Sequence, residues 1–395
     1  MHLSPGSDVL YGCWETSTTI DSSVVASQAR AKAALAQKAF EAQVLSPHGI
    51  EIVVSTNAIS PIMQADSEKR PSVWNTLRRD PFQHLDNPPL GHSLLGYNPF
   101  ISRSNHYRSS ERLRDTGVWL EPNENFAEHV ARAYRSVIRV KACDAGFVAL
   151  AHELLLKWDF MDMDPTTSKA RYWLVQRMIQ FKPKEAAEYN WLWKQPPQLL
   201  DGGPVHISSE NIFDVIPDVS YWISTKGFSL PTRSIAWKFV LVCRLERITC
   251  PYFTVDFEKR SDEVTLKATN RVAVAGSRAL YNRWLLRDRR VKTEKREWTA
   301  ADWSCMRHYA LTMDGSDFWF WCLQPHEEAL SGNKWTGCRM KFLYQADCTY
   351  SHKVEDICDW LNEIHKWGLT EHALSCQDDI EIVGEVRERE RGPHK

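Results

Sequence analysis

The pattern of apolar residues along the chain predicts helices in several places. Apolar residues recur at the three- and four-residue spacing of an amphipathic helix in the middle and near the end of the chain. An alanine-rich stretch near the N-terminus favours a helix through propensity rather than through an apolar face. Together these patterns predict helices over residues 22–44, 124–135, 145–158, 168–193, 264–287 and 354–367.

Between the helical segments, short runs rich in Val, Ile, Phe, Tyr and Trp are typical of β-strands. Asp314 and Gly315 separate two such runs and predict a tight turn. The runs predict strands over residues 215–223, 234–245 and 251–258, and paired strands within 308–325 and 337–349. Helices that flank a mixed sheet make an α/β or α+β domain.

Composition divides the chain into three parts. With 395 residues, 43% of them hydrophobic, the chain is long enough to bury a sizeable core. Residues 1–90 mix serine, proline and polar residues and predict a loosely ordered arm with one helix. Residues 91–377 are the expected folded domain, with its core at about 185–290, and residues 378–395 are expected to be a solvated charged tail.

The charge and cysteine content narrow the class of protein. A formal net charge of -1 gives no indication that the protein binds nucleic acid or an anionic membrane. Any basic surface must therefore be local. The ten cysteines lack paired CxxC spacing and predict buried, reduced thiols rather than a secreted disulfide framework. The sequence has no leader-like N-terminus and no run of about 20 apolar residues. We therefore expect an intracellular protein of the cytoplasm or nucleus, with no membrane association and an oligomeric state that the sequence leaves open.

Three carboxylates lie in or beside two of the predicted strands. Because side chains alternate across a sheet, Asp256 and Glu258 are expected on one face, and Asp218 would meet them if the two strands pair. Hydrolysis of a phosphodiester with a divalent metal needs at least two converging carboxylates and a cation beside them. Such a cluster suits Mg²⁺ or Mn²⁺, which prefer oxygen ligands. Repulsion among the acids equally favours a protonated arrangement without a metal.

The order of these segments resembles that of fungal PD-(D/E)xK nuclease-like proteins. The resemblance lies in IPDVSYWI, in CPYFTVDFEK and in a following helix that ends ALYNRWLL, and it extends over about residues 189–375 through RHYALTM, FWFWCL, WTGCRMKFL and DWLNEIHKWGLTEHALSC. It implies a restriction-endonuclease-like mixed sheet flanked by helices. It also implies that Asp218 and Asp256 hold a divalent metal and that the substrate is DNA or RNA.

The chain departs from the family pattern beside these acids. Glu258 stands where the signature has lysine, two residues after the acid, and is therefore either a third metal ligand or a substitution that blocks activity. Lys259 faces away in a regular strand unless a bulge re-aims it, and Lys267 at the start of the next helix is the alternative cation. Asn270 and Arg271 occupy the place of the family's glutamine.

The same helix is rich in basic residues. Arg271, Arg278 and Arg283 are candidate phosphate contacts, with Tyr281 and Trp284 interleaved among them. The ordinary alternative for these arginines is a solvated helix face with acidic partners elsewhere.

These features support hypotheses from three classes of protein. The first is a nuclease that uses Mg²⁺ or Mn²⁺ to cleave DNA or RNA, with Asp218, Asp256 and Glu258 as its acids and Lys259 or Lys267 as its cation. The second is a catalytically inactive pseudo-nuclease that binds nucleic acid or protein, and it is motivated by Glu258 and Arg271. The third is a protein-only scaffold with no role in nucleic-acid binding.

Overall fold

The computed structural model describes residues 35–54, 116–121, 123–157, 175–181, 192–199, 215–243, 247–258, 267–326 and 334–391. Helices and strands alternate irregularly along these residues. The strands are β1 (Ile50–Val53), β2 (Val175–Ile179), β3 (Val219–Ser224), β4 (Ile248–Phe257), β5 (His308–Asp314), β6 (Asp317–Pro325) and β7 (Cys338–Asp347). The α-helices are α1 (Glu124–Arg139), α2 (Asp144–Leu150), α3 (Leu230–Ala236), α4 (Ala268–Thr293), α5 (Ala300–Ser304), α6 (Ser351–Trp367) and α7 (Ala373–Arg391).

Within the described residues, seven strands form one mixed sheet in the order β1-β7-β6-β5-β4-β3-β2. Strands β2, β3 and β4 are antiparallel neighbours, and β4 then pairs in parallel with β5. A parallel pair requires a crossover, and the long helix α4 supplies it between β4 and β5. Strands β5, β6 and β7 continue the sheet as antiparallel neighbours, and β1 adds to β7 in parallel at the edge.

The alternation of side chains along the strands produces two hydrophobic clusters, one on each face of the sheet. On β5, Tyr309 and Leu311 belong to the cluster that includes α1 and α6, whereas Ala310 belongs to the cluster that includes α4. Both faces are therefore covered by helices, which is why the central strands are almost continuously buried. This arrangement confirms a mixed sheet flanked by helices.

Most of the long patterned segments fold as predicted. The predicted helices near 124–135, 145–158, 264–287 and 354–367 appear as α1, α2, α4 and α6, and the described part of the 22–44 helix is helical from residue 35. The strands predicted at 215–223 and 251–258 are β3 and β4. Gly315 takes a φ of 59° in the turn between β5 and β6, which confirms the tight turn at Asp314 and Gly315.

Two predicted elements are wrong. The helix expected over 168–193 contains the edge strand β2 instead, because Val175 to Ile179 pair with β3 and this pairing outweighs local helix propensity. The strand expected over 234–245 begins inside the helix α3. Ser229 starts this helix by accepting a hydrogen bond from the backbone N–H of Thr232, and proline lies in its first turn.

The ends of the folded structure extend beyond the predicted domain. Ile50–Val53 lies in the segment expected to be an arm, yet it forms β1, and Ile50 is buried in the cluster beneath α4. The segment expected to be a solvated tail continues α7 to Arg391, and Asp379, Ile380 and Val383 are buried there. Both segments therefore contribute to the packed structure.

The cysteines agree with the expectation of reduced thiols. No helix among the described residues is both long and apolar enough to cross a membrane. The nine cysteines that the structure describes are free thiols, and five of them are buried. Tryptophans fill the core, as Trp321 and Trp360 do at the centres of the two clusters.

Gly276 allows α4 to lie close to the sheet. A Cβ at this position would lie 2.9 Å from a methyl of Leu323 and 3.1 Å from the ring of His308. We predict that Gly276→Leu lowers the free energy of unfolding by about 1–3 kcal/mol, since overpacking outweighs the gain in helix propensity. Urea denaturation measures this change. Ala275→Leu, on the partly exposed side of α4, is the matched control, and an equal loss in both variants would contradict the close packing at Gly276.

Candidate functional site

The pairing of β3 with β4 brings two of the predicted acids together. Val219 lies opposite Val255 in the antiparallel register, so Asp218, just before β3, lies beside Asp256 in β4. The Oδ2 atom of Asp218 also accepts a hydrogen bond of 3.1 Å from the backbone N–H of Phe257. Both carboxylates are buried, and Asp256 is completely removed from solvent. Two buried acids in one place require a counter-charge.

Arg271, in the first turn of α4, supplies that counter-charge. Its Nε donates to Oδ2 of Asp256 at 2.7 Å, and one terminal nitrogen donates to Oδ2 of Asp218 at 2.9 Å. The same terminal nitrogen also contacts Oδ1 of Asp256, so that carboxylate is held by two parallel contacts. The Arg271 side chain keeps only 13% of its surface exposed. The three side chains form what we call the Arg271 bridge, which joins β3, β4 and α4.

Burial shifts the pKa of Arg271 and of the nearby His152. Burial lowers the pKa of Arg271, and the negative charge of Asp218 opposes this change. An arginine stays protonated even so, since its ordinary pKa exceeds 12. His152 lies near the same acids, where burial and the charge of Arg177 lower its pKa and the charge of Asp218 raises it. The net decrease leaves His152 neutral at pH 7, so Arg271 is the cation that faces both carboxylates.

Glu258 takes a different role from the one that strand alternation predicts. The strand ends at Phe257, so Glu258 is no longer held on the face of Asp256. Its carboxylate instead accepts a hydrogen bond of 2.8 Å from the backbone N–H of Ala268, at the start of α4. Burial and the charge of Asp314 raise the pKa of Glu258, whereas this hydrogen bond and the charge of Lys267 lower it. Glu258 therefore caps a helix rather than joining the Arg271 bridge.

Of the two candidate lysines, the structure describes only Lys267. Lys267 is exposed, immediately before α4, and its charge acts on Glu258. Lys259 lies outside the described residues, so its part in the site stays a prediction.

Sequence reasoning missed the partner of Asn270. This residue is buried, and it exchanges a pair of hydrogen bonds with the amide of Gln37, at 3.0 Å and 2.8 Å. The contact ties the helix before β1 to the first turn of α4, next to the Arg271 bridge. No local pattern signals a contact between residues so far apart in the chain.

The other two arginines that were candidates for phosphate contacts point into the protein. Arg278 donates to the backbone carbonyl of Trp193 at 3.1 Å, and its guanidinium lies over the ring of that tryptophan. Arg283 is buried and donates to Asp379 at 2.5 Å, with a further contact to Ser375. In this conformation, neither guanidinium presents its charge to an external phosphate as the sequence prediction requires.

The described side chains do not fit a resident divalent metal. No group of three or more His, Cys, Asp or Glu side chains among them is arranged to hold a metal ion. Asp218 and Asp256, the predicted ligands, share a guanidinium instead. A divalent cation at the same place would be repelled by Arg271. The prediction of Mg²⁺ or Mn²⁺ therefore finds no support in the geometry of these residues.

The fold and the site define a mixed α/β protein with a buried carboxylate pair neutralised by arginine. Comparisons of the chain with protein-family models, with curated proteins and with solved structures return no match. The function must therefore be argued from the residues of the site themselves.

We predict that Arg271→Met lowers the free energy of unfolding by about 3–5 kcal/mol at pH 7, because it leaves two buried carboxylates without a cation. Chemical denaturation provides the measurement. Adding Asp218→Asn and Asp256→Asn to Arg271→Met should recover most of this loss. Arg339→Met removes an exposed pair with Glu51 and should change stability by about 1 kcal/mol or less. An equally small effect of Arg271→Met would contradict the structural role of the Arg271 bridge.

The raised pKa of Glu258 predicts how the stability of the protein depends on pH. Its pKa is raised in the folded state, so folding favours its protonated form, and stability falls as pH rises from the unfolded pKa through the folded one. Glu258→Gln keeps an oxygen for the N–H of Ala268 but removes this titration. Urea denaturation between about pH 4 and pH 7 should therefore show the variant gaining stability relative to the wild type as pH rises. Exposed Glu121→Gln is the control, and a parallel profile for both variants would refute the assignment.

Proposed function

We propose that this protein is a nuclease-like module that does not cleave nucleic acid and acts by binding another protein. The observation that carries the proposal is the Arg271 bridge, in which a guanidinium holds the two acids that a nuclease would need for its metal. The nuclease-like part of the proposal rests on the resemblance in sequence. The non-catalytic part rests on the contacts of Arg271.

The order of elements around the site supports the resemblance. The nuclease-like pattern expects an acid at the start of one strand, an acid near the end of the next, and then a helix. Asp218 precedes β3, Asp256 lies near the end of β4, and α4 follows. The two strands pair so that the acids lie together.

The loss of catalysis follows from what Arg271 does to these acids. A metal-dependent hydrolase needs its carboxylates available to a divalent ion, which lowers the pKa of a bound water and stabilises developing charge. Removing Arg271 from Asp218 and Asp256 would break a buried ion pair, at a free-energy cost of several kcal/mol. Glu258, in the place of the signature lysine, meanwhile bonds to the N-terminus of α4. In this arrangement, neither Arg271 nor Glu258 is placed to act in catalysis.

The direction of the basic side chains argues against a nucleic acid as the partner. Nucleic-acid binding depends on arginines and lysines that neutralise phosphates at the surface. On α4, Arg283, Arg287 and Arg290 all form ion pairs with Asp379. Arg296 after the helix pairs with Asp302. Much of the basic stretch in the sequence is therefore neutralised within the fold.

A cleavage assay tests the proposal directly. Wild-type protein, Asp218→Ala and Asp256→Ala are incubated with single- and double-stranded DNA and RNA in Mg²⁺ or Mn²⁺. We expect no cleavage that distinguishes the wild type from the two variants, because Arg271 already occupies both acids. Titration calorimetry with Mn²⁺ should likewise detect no binding that depends on Asp218 and Asp256. Metal-dependent cleavage that disappears in both variants would instead establish an active nuclease.

Arg271→Gln extends this test, since it removes the cation and places a glutamine beside Asn270, where the family pattern has one. We expect this variant to gain Mn²⁺ binding that the wild type lacks, provided that circular dichroism shows it folded. Fluorescence anisotropy with labelled DNA and RNA tests the partner class. Tight wild-type binding that weakens steeply with salt would favour nucleic acid over protein.

A further inference from the structure

A cleft lies away from the Arg271 bridge, on the side of the sheet where β4 begins. Its lining includes apolar residues from 239–241 and α4 together with Cys250, Arg283 and His372. His372 is buried, and its Nδ1 atom has no hydrogen-bond partner among the described residues. The cleft thus combines a thiol, a guanidinium and an unpartnered imidazole nitrogen.

Cys250 is placed in this cleft by an irregularity of β4. The register pairs Ile223 with Thr249 and Trp222 with Pro251, so Cys250 is the bulged residue between them. Its backbone φ is 46°, in the left-handed region, which residues other than glycine rarely adopt. Cys250 is partly exposed and lines the cleft. The bulge therefore places a residue of a buried strand at the wall of the cleft.

Cys376, on α7, contacts the same histidine as Cys250. The carbonyl oxygen of Cys250 is 3.2 Å from Nε2 of His372, and the Sγ of Cys376 is 3.6 Å from the same nitrogen. Each thiol also shifts the pKa of the other, that of Cys250 downwards and that of Cys376 upwards. The Sγ of Cys250 also lies 3.4 Å from the hydroxyl of Thr249. Two cysteines from distant parts of the chain therefore meet at one histidine.

The surroundings lower the pKa of one of these cysteines and raise the pKa of the other. The hydrogen bond from Cys376 is the largest effect on Cys250 and lowers its pKa; burial opposes this, and Thr249 and Arg283 lower the pKa further. Burial raises the pKa of Cys376. Burial also raises the pKa of the thiols of Cys338, Cys348 and Cys358. Cys250 is therefore suited to be a nucleophile, which those buried cysteines are not.

We propose that Cys250 and Cys376 form a peroxide-reactive thiol pair, in which Cys250 is oxidised first and Cys376 resolves it to a disulfide. The Sγ of the Cys250 thiolate attacks one oxygen of hydrogen peroxide, and the O–O bond breaks. The leaving hydroxide takes up a proton and becomes water, and Cys250 is left as a sulfenic acid. The sulfur of Cys376 then attacks the sulfenic sulfur, which forms the S–S bond and releases a second water. Two thiols are oxidised, and one peroxide is reduced to two waters.

Peptide mapping of the wild-type chain tests this pair. The folded protein is treated with hydrogen peroxide, its remaining thiols are alkylated, and it is digested with trypsin. Cleavage yields peptides 248–259 and 367–387, which contain Cys250 and Cys376 respectively as their single cysteines. We expect mass spectrometry to detect these two peptides joined by a disulfide, with loss of their alkylated forms. Full recovery of both alkylated peptides, after peroxide has oxidised exposed Cys143, would overturn the proposal.

Three variants sharpen the result. Cys143→Ser should leave the linked peptide unchanged, and Cys250→Ser should abolish it. In Cys376→Ser the second step is blocked, so sulfenic acid should accumulate at Cys250 and be trapped there by dimedone. Dimedone labelling of Cys143 without labelling of Cys250 in that variant would contradict the order of the two steps. The wild-type measurement stands on its own if a variant fails to fold.

Discussion

The bridge between Arg271 and the carboxylates of Asp218 and Asp256 is the interaction on which the centre of this structure depends. Two acids beside each other in a buried sheet repel each other and are stripped of water, so the pair is unstable without a cation. The guanidinium resolves this by bonding to both acids. In doing so it fixes the first turn of α4 against the strands β3 and β4. The position of the crossover helix and the state of the acidic site therefore have one physical cause.

A second group of buried ion pairs lies towards the other end of α4. Arg283, Arg287 and Arg290 are spaced along one face of the helix, and all three meet Asp379 of α7. Arg287 also reaches Asp302, which Arg296 holds from another side. Burial raises the pKa of Asp302, but hydrogen bonds from Arg296 and Thr299 outweigh it and lower the pKa overall. In the sequence these arginines resemble a basic surface, but in the fold they join α4 to α5 and α7.

The elements that could be predicted from sequence are those whose pattern is local and long. The segments that became β3 and β4 carried strong β-propensity, and α6 carried an amphipathic stripe. Val175–Ile179 was mistaken for helix because its strand conformation comes from pairing with β3, which lies some forty residues further along the chain. The juxtaposition of Asp218 and Asp256 was predictable from the two strands that carry them. The position of Arg271 between them was not, since it depends on how α4 docks, and a local pattern does not encode docking.

Under the proposed nuclease-like assignment, Glu258 stands in the place of a lysine, and this has to be considered together with the burial of Arg271. A lysine that assists a metal leaves the carboxylates free to bind that metal, whereas an arginine that bonds to the carboxylates competes with the metal for the same charge. A chain with Arg271 in this position gains no catalytic benefit from a lysine after Asp256, so the position is open to a residue that serves the fold. Glu258 does so by accepting the N–H of Ala268, in the turn that also holds Arg271. Under the proposed assignment each residue makes the other tolerable, and together they stabilise α4 at the place where a nuclease would hold its metal.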